Sequence, residues 1–362
     1  MNRSPFFPLS AFPPIGRRPL GRTGLLVSEI CLGTMNFGWR LDRDASFLLL
    51  DRFAQAGGNF IQALSIDSDA MTASFGMGHP ETYVGDWMVE RGVRRQDWVL
   101  SSRLTLQRSA GRNIGDRITR SVERSLSRLG TDYLDLLICE WTPAFLPMNE
   151  MLAALHALVK EGKLRYFALA GFPAWRVMES MSRSRILECS RLEAVQTDYS
   201  LVQRRGAEED LAELCEDNRI SVIVSSPLAD GFLANLVGTP SGFSPQRSNR
   251  LRDYRNHPRS RAVLAKLAAV ARAHGVTEAR VAIAWSLTRP WVTSVLVGSH
   301  TADYLTDVLG GSRLQLSSRE IAGLDEVSSP PRHAHSPCHC EADTPLAAWP
   351  TATALAAEIA HG

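Results

Sequence analysis

The sequence predicts an α/β fold, built as a single closed (β/α)8 TIM barrel. Short apolar runs, typical of strands buried on both faces, alternate with amphipathic helical patterns, and eight such units follow one another. Eight strand–helix units are the number that closes this kind of barrel. The alternative, an open doubly wound sheet, usually has a Gly-rich turn after an early strand, whereas Gly57 and Gly58 precede a strand.

The stretch from Ser121 to Trp141 shows one unit most clearly. Apolar residues recur at spacings of four and three before Gly130, which indicates a helix that Gly130 can end in the left-handed conformation. Residues 134–139 then form an apolar run typical of a buried strand. Glu140 follows where the run stops, at the strand end where barrel enzymes carry their active sites.

The remaining elements follow in order. Residues 21–27, GRTGLLV, indicate a tight turn between two short strands, so an N-terminal hairpin should precede the barrel. The predicted barrel strands are 30–34, 59–64, 98–103, 134–139, 166–170, 194–197, 221–225 and 294–297. Besides the helix in the 121–141 stretch, the predicted helices are 45–56, 81–91, 148–161, 175–182, 208–217, 259–274, 278–287 and 301–309.

Three regions are expected along the chain. Residues 1–17 are a flexible arm, residues 18–328 form the barrel, and residues 329–362 form a tail that we expect to be disordered. A long loop, residues 234–258, follows the seventh strand and is rich in Gly, Ser, Pro and Arg. It should lie over the barrel mouth, where a loop of this length is either a substrate lid or a mobile spacer.

Composition narrows the partners and the compartment. The hydrophobic content is 44%, and the net charge of +2 gives no reason to expect nucleic acid or an anionic membrane as partner. The first twenty residues lack a signal-peptide core, so we expect a cytoplasmic protein acting on a small molecule. The scattered cysteines are interpreted as small buried residues in a reducing compartment: Cys31, Cys139, Cys189 and Cys215.

Several segments together resemble the aldo-keto reductase superfamily, whose members are NADPH-dependent (β/α)8 oxidoreductases. In chain order they are PLGRTGLLVSEICLGTMNFG, AGGNFIQA, GMGHPETYVGDWM, SLSRLGTDYLDLLICEW, LVKEGKLRYFALAGF, AVQTDYSLV, SSPLADGFL and VLVGSHTADYL. The resemblance covers residues 19–328 and implies the same barrel.

The resemblance also implies four catalytic positions, and all four differ here. The family's Asp falls on Gln62, its Lys on Arg103 and its His on Glu140. Its proton-donating Tyr falls on Phe75, or on Asp67 if the loop carries no insertion.

Each substitution changes the chemistry at its position. Phe75 has no proton to give, and Arg103 stays protonated at any working pH, so it can orient a substrate but hardly shuttle a proton. Gln62 removes a negative charge and Glu140 adds one, so an Arg103–Glu140 pair is expected at the mouth. Glu140 is then either an acid/base group or half of a structural ion pair. Some family members that reduce carbon–carbon double bonds carry Glu at this position, but they keep the Tyr.

The same comparison tests the NADPH contacts. Ala170 and Gly171 replace a Ser–Asn pair that holds the nicotinamide amide, and Ser225 replaces a stacking aromatic residue, whereas Gln196 matches the family. Ser299, His300 and Thr301 resemble the phosphate loop that opens the last helix, or they simply cap that helix. The family's Arg and Asn contacts fall on Tyr304 and Val308. NADPH binding is therefore expected to be weakened or lost.

Two further clusters of residues are candidate binding sites. The tail could bind zinc or copper through His333, His335, Cys338, His339 and Cys340, but their spacing fits no standard zinc motif and no metal site is predicted. The loop after strand seven carries a basic run that fits either an acidic partner or a solvated face: Arg247, Arg250, Arg252, Arg255 and Arg259.

Three functions remain open. The first is a divergent enzyme acting on a small carbonyl-containing metabolite in a biosynthetic pathway. It would catalyse a non-redox cyclisation, dehydration or isomerisation, with Glu140 as acid/base and Arg103 as anchor. The second is an NADPH-dependent oxidoreductase with a displaced proton donor, Tyr83 or Asp67. The third is a catalytically silent barrel that acts as a binding or regulatory protein.

Overall fold

Eight parallel strands close into a barrel in the computed structural model, which describes residues 14–65, 79–105, 113–140, 147–234 and 245–330. The strands are β1 Ile30–Gly33, β2 Phe60–Leu64, β3 Val99–Thr105, β4 Leu134–Glu140, β5 Leu164–Ala170, β6 Leu192–Asp198, β7 Ser221–Ser225 and β8 Val292–Gly298. They pair in chain order, and β8 closes the ring on β1. The predicted barrel is confirmed.

Helices surround the barrel on its outer side. They are α1 Arg43–Gln55, α2 Pro80–Glu90, α3 Ile114–Leu129, α4 Met148–Lys160, α5 Ala174–Ile186, α6 Arg205–Glu208, α7 Leu211–Asn218, α8 Pro245–Asn256, α9 Pro258–His274, α10 Glu278–Leu287, α11 Ala302–Leu309 and α12 Ser318–Ser328. Short 3-10 segments lie at Arg95–Asp97, Ala229–Ala234 and Gly310–Arg313.

The predicted N-terminal hairpin closes the amino end of the barrel. Arg17–Pro19 pairs antiparallel with Leu26–Ser28. Leu20 and Val27 are fully buried and pack with Cys31 and other residues that face the barrel interior. The opposite end, formed by the carboxyl ends of the strands, is the barrel mouth.

The α3–β4 unit folds as its sequence predicts. Gly130 ends α3 in the left-handed region at φ 63°, where a residue without a Cβ is at no disadvantage. Asp135, the one charge inside the apolar run, is buried between Arg95 at 2.8 Å and Arg165 at 3.1 Å. Two guanidinium groups therefore compensate the carboxylate that the barrel wall buries.

Beyond small shifts at element ends, the helices differ from the sequence expectations in three places. Residues 245–256, expected to be loop, form α8, and the single helix expected at 208–217 is divided into α6 and α7. The sequence interpretation missed α12, although Ser317 and Glu320 form the capping box that signals such a helix. Ile15, within the expected arm, is buried at 3% exposure and joins the core.

The cysteines within the described ranges are unpaired. Cys31, Cys139 and Cys215 are buried, as expected, and burial raises the pKa of Cys139 and Cys215 to about 12. Cys189 departs from the expectation, because it lies partly exposed after α5. No helix within these ranges is both long enough and apolar enough to cross a membrane.

Candidate functional site

Polar side chains line the inner wall of the barrel mouth. Phe60, Val99, Ile138, Ala194 and Ile223 pack together inside the barrel. Because side chains alternate across a strand, the residues at even spacings from them also face the interior. The polar residues at those positions near the mouth are Gln62, Arg103, Thr105, Glu140, Gln196, Asp198 and Ser225.

Arg103 and Glu140 form the expected ion pair on neighbouring strands. Arg103 Nη2 lies 2.6 Å from Glu140 Oε1, and Arg103 Nε donates to Glu140 Oε2 at 3.2 Å. Thr105, which pairs with Glu140 across the β3–β4 ladder, donates its hydroxyl to Oε2 at 2.7 Å. The side chains of Arg103 and Glu140 are only 9% and 13% exposed, so water competes little with these bonds.

Three donors around one carboxylate leave room for one more. A carboxylate offers about four acceptor positions on its two oxygens. Arg103 occupies two of them and Thr105 a third. No other described residue bonds the carboxylate, so Glu140 keeps one acceptor position for another group. The two-point Arg contact fixes the orientation of the carboxylate.

Gln62 and Gln196 form a second pair deeper in the barrel. Gln196 Nε2 donates to Gln62 Oε1 at 2.7 Å, and both side chains are buried. Gln196 is 2% exposed, and its Oε1 has no hydrogen-bond partner. Since an unpaired buried acceptor costs about 1–3 kcal/mol, this oxygen is suited to a ligand that brings an N–H or O–H.

Gln196 and the end of β5 occupy the positions where the resemblance implies side-chain contacts to the nicotinamide amide. Gln196 keeps a free acceptor that could receive a carboxamide N–H. Ala170 and Gly171 carry no polar side-chain atom, and a Cβ placed on Gly171 would meet no other atom within 4 Å. Of these three positions, only Gln196 can make the side-chain contact that the resemblance implies.

The sixth and seventh strands end in a hydroxyl–carboxylate pair. Ser225, at the position of the family's stacking aromatic, donates to Asp198 Oδ1 at 2.6 Å. The side of the mouth where a nicotinamide ring would stack therefore carries a carboxylate and a hydroxyl. Neither of these two side chains offers the flat apolar face that stacking requires.

The predicted phosphate loop caps a helix. Thr301 is the N-cap of α11 and accepts from Tyr304 N, while Ser299 Oγ donates to Thr301 O at 2.7 Å. His300 stacks on Tyr304 at 5.7 Å between ring centroids. Ser299 is buried at 2% exposure, so Thr301 and His300 are the accessible members of the run.

Helix α8 packs on the segment that follows the seventh strand. Arg250 Nε lies 2.8 Å from Asp230 Oδ2, and the rings of Tyr254 and Phe232 are 5.6 Å apart. Burial raises the pKa of Tyr254 to about 12, and the nearby Asp230 and Asp198 carboxylates act in the same direction. The basic loop is therefore partly a docked helix, beside the Asp198 side of the mouth.

Other predicted positions fall elsewhere. Phe75, Asp67 and the five His and Cys residues of the tail lie outside the described residues. Tyr83 lies in the first turn of α2, packed in the core at 7% exposure, with Asp42 and Arg43 as nearby charged groups. Within the described ranges, no group of three or more His, Cys, Asp or Glu side chains is placed to hold a metal ion.

Thr105 and Asp198 were not identified from the sequence. Both stand two residues after a position that was identified, Arg103 and Gln196 respectively. The period of two along a strand was the available signal, since it places such residues on the same face. It was missed because the predicted strands ended too early, at 103 and 197.

Comparison with known proteins supports the resemblance. The model of the Aldo/keto reductase family matches residues 29–329. The uncharacterized oxidoreductase YrpG of Bacillus subtilis is 29% identical over 319 residues, which cover 85% of this chain and 94% of that protein.

Two fungal proteins are similar over a comparable length. Norsolorinic acid reductase stcV of Emericella nidulans is 28% identical, over 84% of this chain and 79% of its own length. Norsolorinic acid reductase B of Aspergillus parasiticus is 27% identical, over 83% of this chain and 81% of its own. With a family match spanning the whole barrel, the chain belongs to the aldo/keto reductase family.

Proposed function

We propose that this protein is an enzyme that acts on a small carbonyl-containing metabolite at the barrel mouth by acid/base chemistry rather than hydride transfer. One observation carries the proposal. Glu140 faces the barrel interior, is held by Arg103 and Thr105, and keeps one acceptor position open. A fixed carboxylate with a free acceptor position is suited to taking a proton from a bound substrate.

The proposed reaction begins at the carbon next to the substrate carbonyl. Glu140 removes a proton, the C–H electron pair forms a C=C bond, and the carbonyl π electrons move to oxygen. Arg103 supplies positive charge beside the resulting enolate. The proton then returns to another carbon of the same substrate in an isomerisation, or to a hydroxyl that leaves as water in a dehydration. In a cyclisation the enolate carbon instead attacks a second carbonyl carbon of the same substrate. The new C–C bond closes the ring, the π electrons of the second carbonyl move to its oxygen, and that oxygen takes the proton back from Glu140.

The residues at the nicotinamide positions do not fit the family's way of holding NADPH. Ala170 and Gly171 offer no side-chain hydrogen bond, and Ser225 is engaged with Asp198. For this reason no step of the proposed reaction uses NADPH, and we propose that its binding is weakened or lost. The free Oε1 of Gln196 would then serve the substrate.

The Glu140→Gln variant tests the acid/base role. It keeps the shape of the side chain and removes the base, so turnover of the substrate should fall by about 10²-fold or more. Glu193→Gln is the matched control, because Glu193 is a buried glutamate at the start of β6, away from the mouth. Equal turnover by wild type and Glu140→Gln would leave Glu140 as a structural ion-pair partner, and a wild type without any activity would favour a binding protein.

An NADPH-dependent oxidoreductase is the second candidate, because the similar proteins are named an oxidoreductase and norsolorinic acid reductases. Its proton donor would be Tyr83 or Asp67. A fluorescence titration with NADPH separates the two candidates. Tight binding with enhanced nicotinamide emission would favour the reductase, whereas an unchanged emission up to millimolar NADPH agrees with the first proposal.

A further inference from the structure

Exposed apolar side chains concentrate on one helix of the outer layer. Seven large hydrophobic residues are strongly exposed within the described part of the chain, and four of them belong to α5 and its C-cap. Trp175 is 63% exposed, Met178 46%, Ile186 78% and Leu187 42%. Concentration of such residues on one surface is typical of an interaction site.

Three of these residues share a face with a small one. Trp175, Met178, Ser182 and Ile186 recur at spacings of three and four, so they form one line along α5, called here the α5 stripe. Ser182 is exposed and lies near the middle of this line. A small side chain there lets the backbone of another helix come close.

Most of the charged residues beside the stripe form ion pairs with one another, but one cation does not pair with any described residue. Arg176 and Arg183 both bind Glu179, at 2.5 and 2.8 Å. Arg176 also lies over the Trp175 ring, 4.7 Å from its centroid. Arg185 is exposed and has no ion pair, side-chain hydrogen bond or ring contact with any described residue.

We propose that the α5 stripe is the core of a two-fold interface with a second copy of this chain. In antiparallel packing centred on position 180, Trp175 meets the partner subunit's Arg185, and Met178 meets the partner subunit's Ser182. Both pairs follow from one centre, so a single arrangement satisfies them together. Each contact occurs twice, as the symmetry of such a dimer requires.

The chemistry of the stripe favours this occupant. Trp175 lies at one end of the stripe, and Arg185, which has no ion pair among the described residues, lies beside the other end, about 15 Å away along the helix. A reversed copy brings each cation to a ring, which is a favourable cation–π contact. The exposed Ile186 and Leu187 then lie next to the partner subunit's Trp175, where they are removed from water together.

Sedimentation of the full chain over a range of concentrations tests the proposal. Wild type should show a concentration-dependent monomer–dimer equilibrium. Ile186→Glu should raise the dimer dissociation constant about thirtyfold or more, because it places a charge against the apolar side chains next to the partner subunit's Trp175. Val89→Glu is the matched control, since Val89 is also 78% exposed but lies on α2. Arg185→Glu should weaken the dimer as well, while Arg185→Lys should retain it.

Several results would overturn the interface. A wild type that stays monomeric at every concentration contradicts it, as does a dimer that Ile186→Glu leaves intact or that Val89→Glu disrupts equally. Circular dichroism should show that each variant is folded, and Trp175→Ser serves in place of Ile186→Glu if the latter is not. A monomer with wild-type folding would leave the stripe available to a different, acidic partner.

Discussion

Glu140 and Arg103 are each expensive to bury alone, and this sets what the pair contributes to folding. The guanidinium and the carboxylate are joined by two contacts, at 2.6 and 3.2 Å, in a site that excludes most water. Replacing a buried pair by apolar groups is often nearly neutral, whereas removing one partner leaves an uncompensated charge. The pair is therefore better explained as a device for orienting Glu140 than as a source of net stability.

This explanation predicts a strongly non-additive mutant series. Arg103→Met should lower the free energy of unfolding by about 3 kcal/mol, while Arg103→Met with Glu140→Leu should recover most of that loss. Arg94→Met, which breaks the exposed Arg94–Asp97 pair, should cost less than about 1 kcal/mol. Urea unfolding measures all three. A double variant as unstable as the single one would contradict the explanation.

At the residue scale, the sequence predicts that two side chains meet when both lie near the carboxyl ends of strands and those strands are neighbours. Arg103 and Glu140 lie near the carboxyl ends of adjacent strands, and parallel pairing brings such ends together, so their contact followed from the topology. The Gln62–Gln196 bond was not anticipated, because β2 and β6 are not neighbours in the sheet and their side chains meet across the interior. Such a contact depends on the barrel diameter and on rotamers, which the sequence pattern does not report.

Among the elements, α12 shows how a short cap organises a helix end. Ser317 Oγ caps Glu320 N, and the Glu320 carboxylate bonds Ser317 in return and His274 Nε2 at 2.8 Å. The Ser317 hydrogen bonds, with a smaller contribution from His274, hold the pKa of Glu320 below its ordinary value of 4.5. A carboxylate whose pKa is lowered on folding stabilises the protein fully at pH values above its ordinary pKa. This contribution is lost as the pH falls through the lowered pKa of the folded state.

Two measurements check this cap. Ser317→Ala should lower the free energy of unfolding at neutral pH by about 1 kcal/mol, and the difference from wild type should shrink as pH falls below 4.5. Ser318→Ala, one exposed position further along, should have little effect at either pH. A Ser317→Ala difference that grows on acidification would contradict the assigned direction of the pKa shift.

Helix α8 was expected to be loop because its sequence, rich in Arg, Asn and Ser, has no marked apolar face. It is held instead by a few specific contacts. Leu251 is buried at 4% exposure, and Arg250 bonds Asp230. Local periodicity cannot report contacts of this kind, because they are made with a segment about twenty residues earlier in the chain.

If these contacts hold α8, loss of one should loosen it selectively. Arg250→Ala should speed amide hydrogen exchange in residues 245–256 by about tenfold, since it removes a charged hydrogen bond of about 1.5 kcal/mol. Arg252→Ala is the control, because the Arg252 side chain donates to Asn249 of the same helix and to no other described residue. Equal exchange in both variants would show that Arg250 does not hold the helix.

For the whole molecule, alternation of strands and helices was enough to predict the barrel, because eight repeated units have few other ways to bury both faces of their strands. The capping box indicates where α12 begins, but the place where this helix packs is set by tertiary contacts. Asp325 of α12 accepts from Trp285 Nε1 at 2.9 Å and also binds Arg289 and Arg204. These contacts attach α12 to α10, 40 residues earlier in the chain, and to Arg204 just before α6, 121 residues earlier.

The most direct test of the central claim is proton exchange at the substrate, because it requires no knowledge of the final product. Wild type and Glu140→Gln are incubated in D2O without NADPH, with α-hydroxyketones and 1,3-diketones as probes, and proton NMR follows the carbon next to the carbonyl. Wild type should incorporate deuterium there. In Glu140→Gln the rate of incorporation should be lower by about 10²-fold or more. Equal rates in the two proteins, or no exchange together with NADPH-dependent reduction of the same probes, would contradict the account.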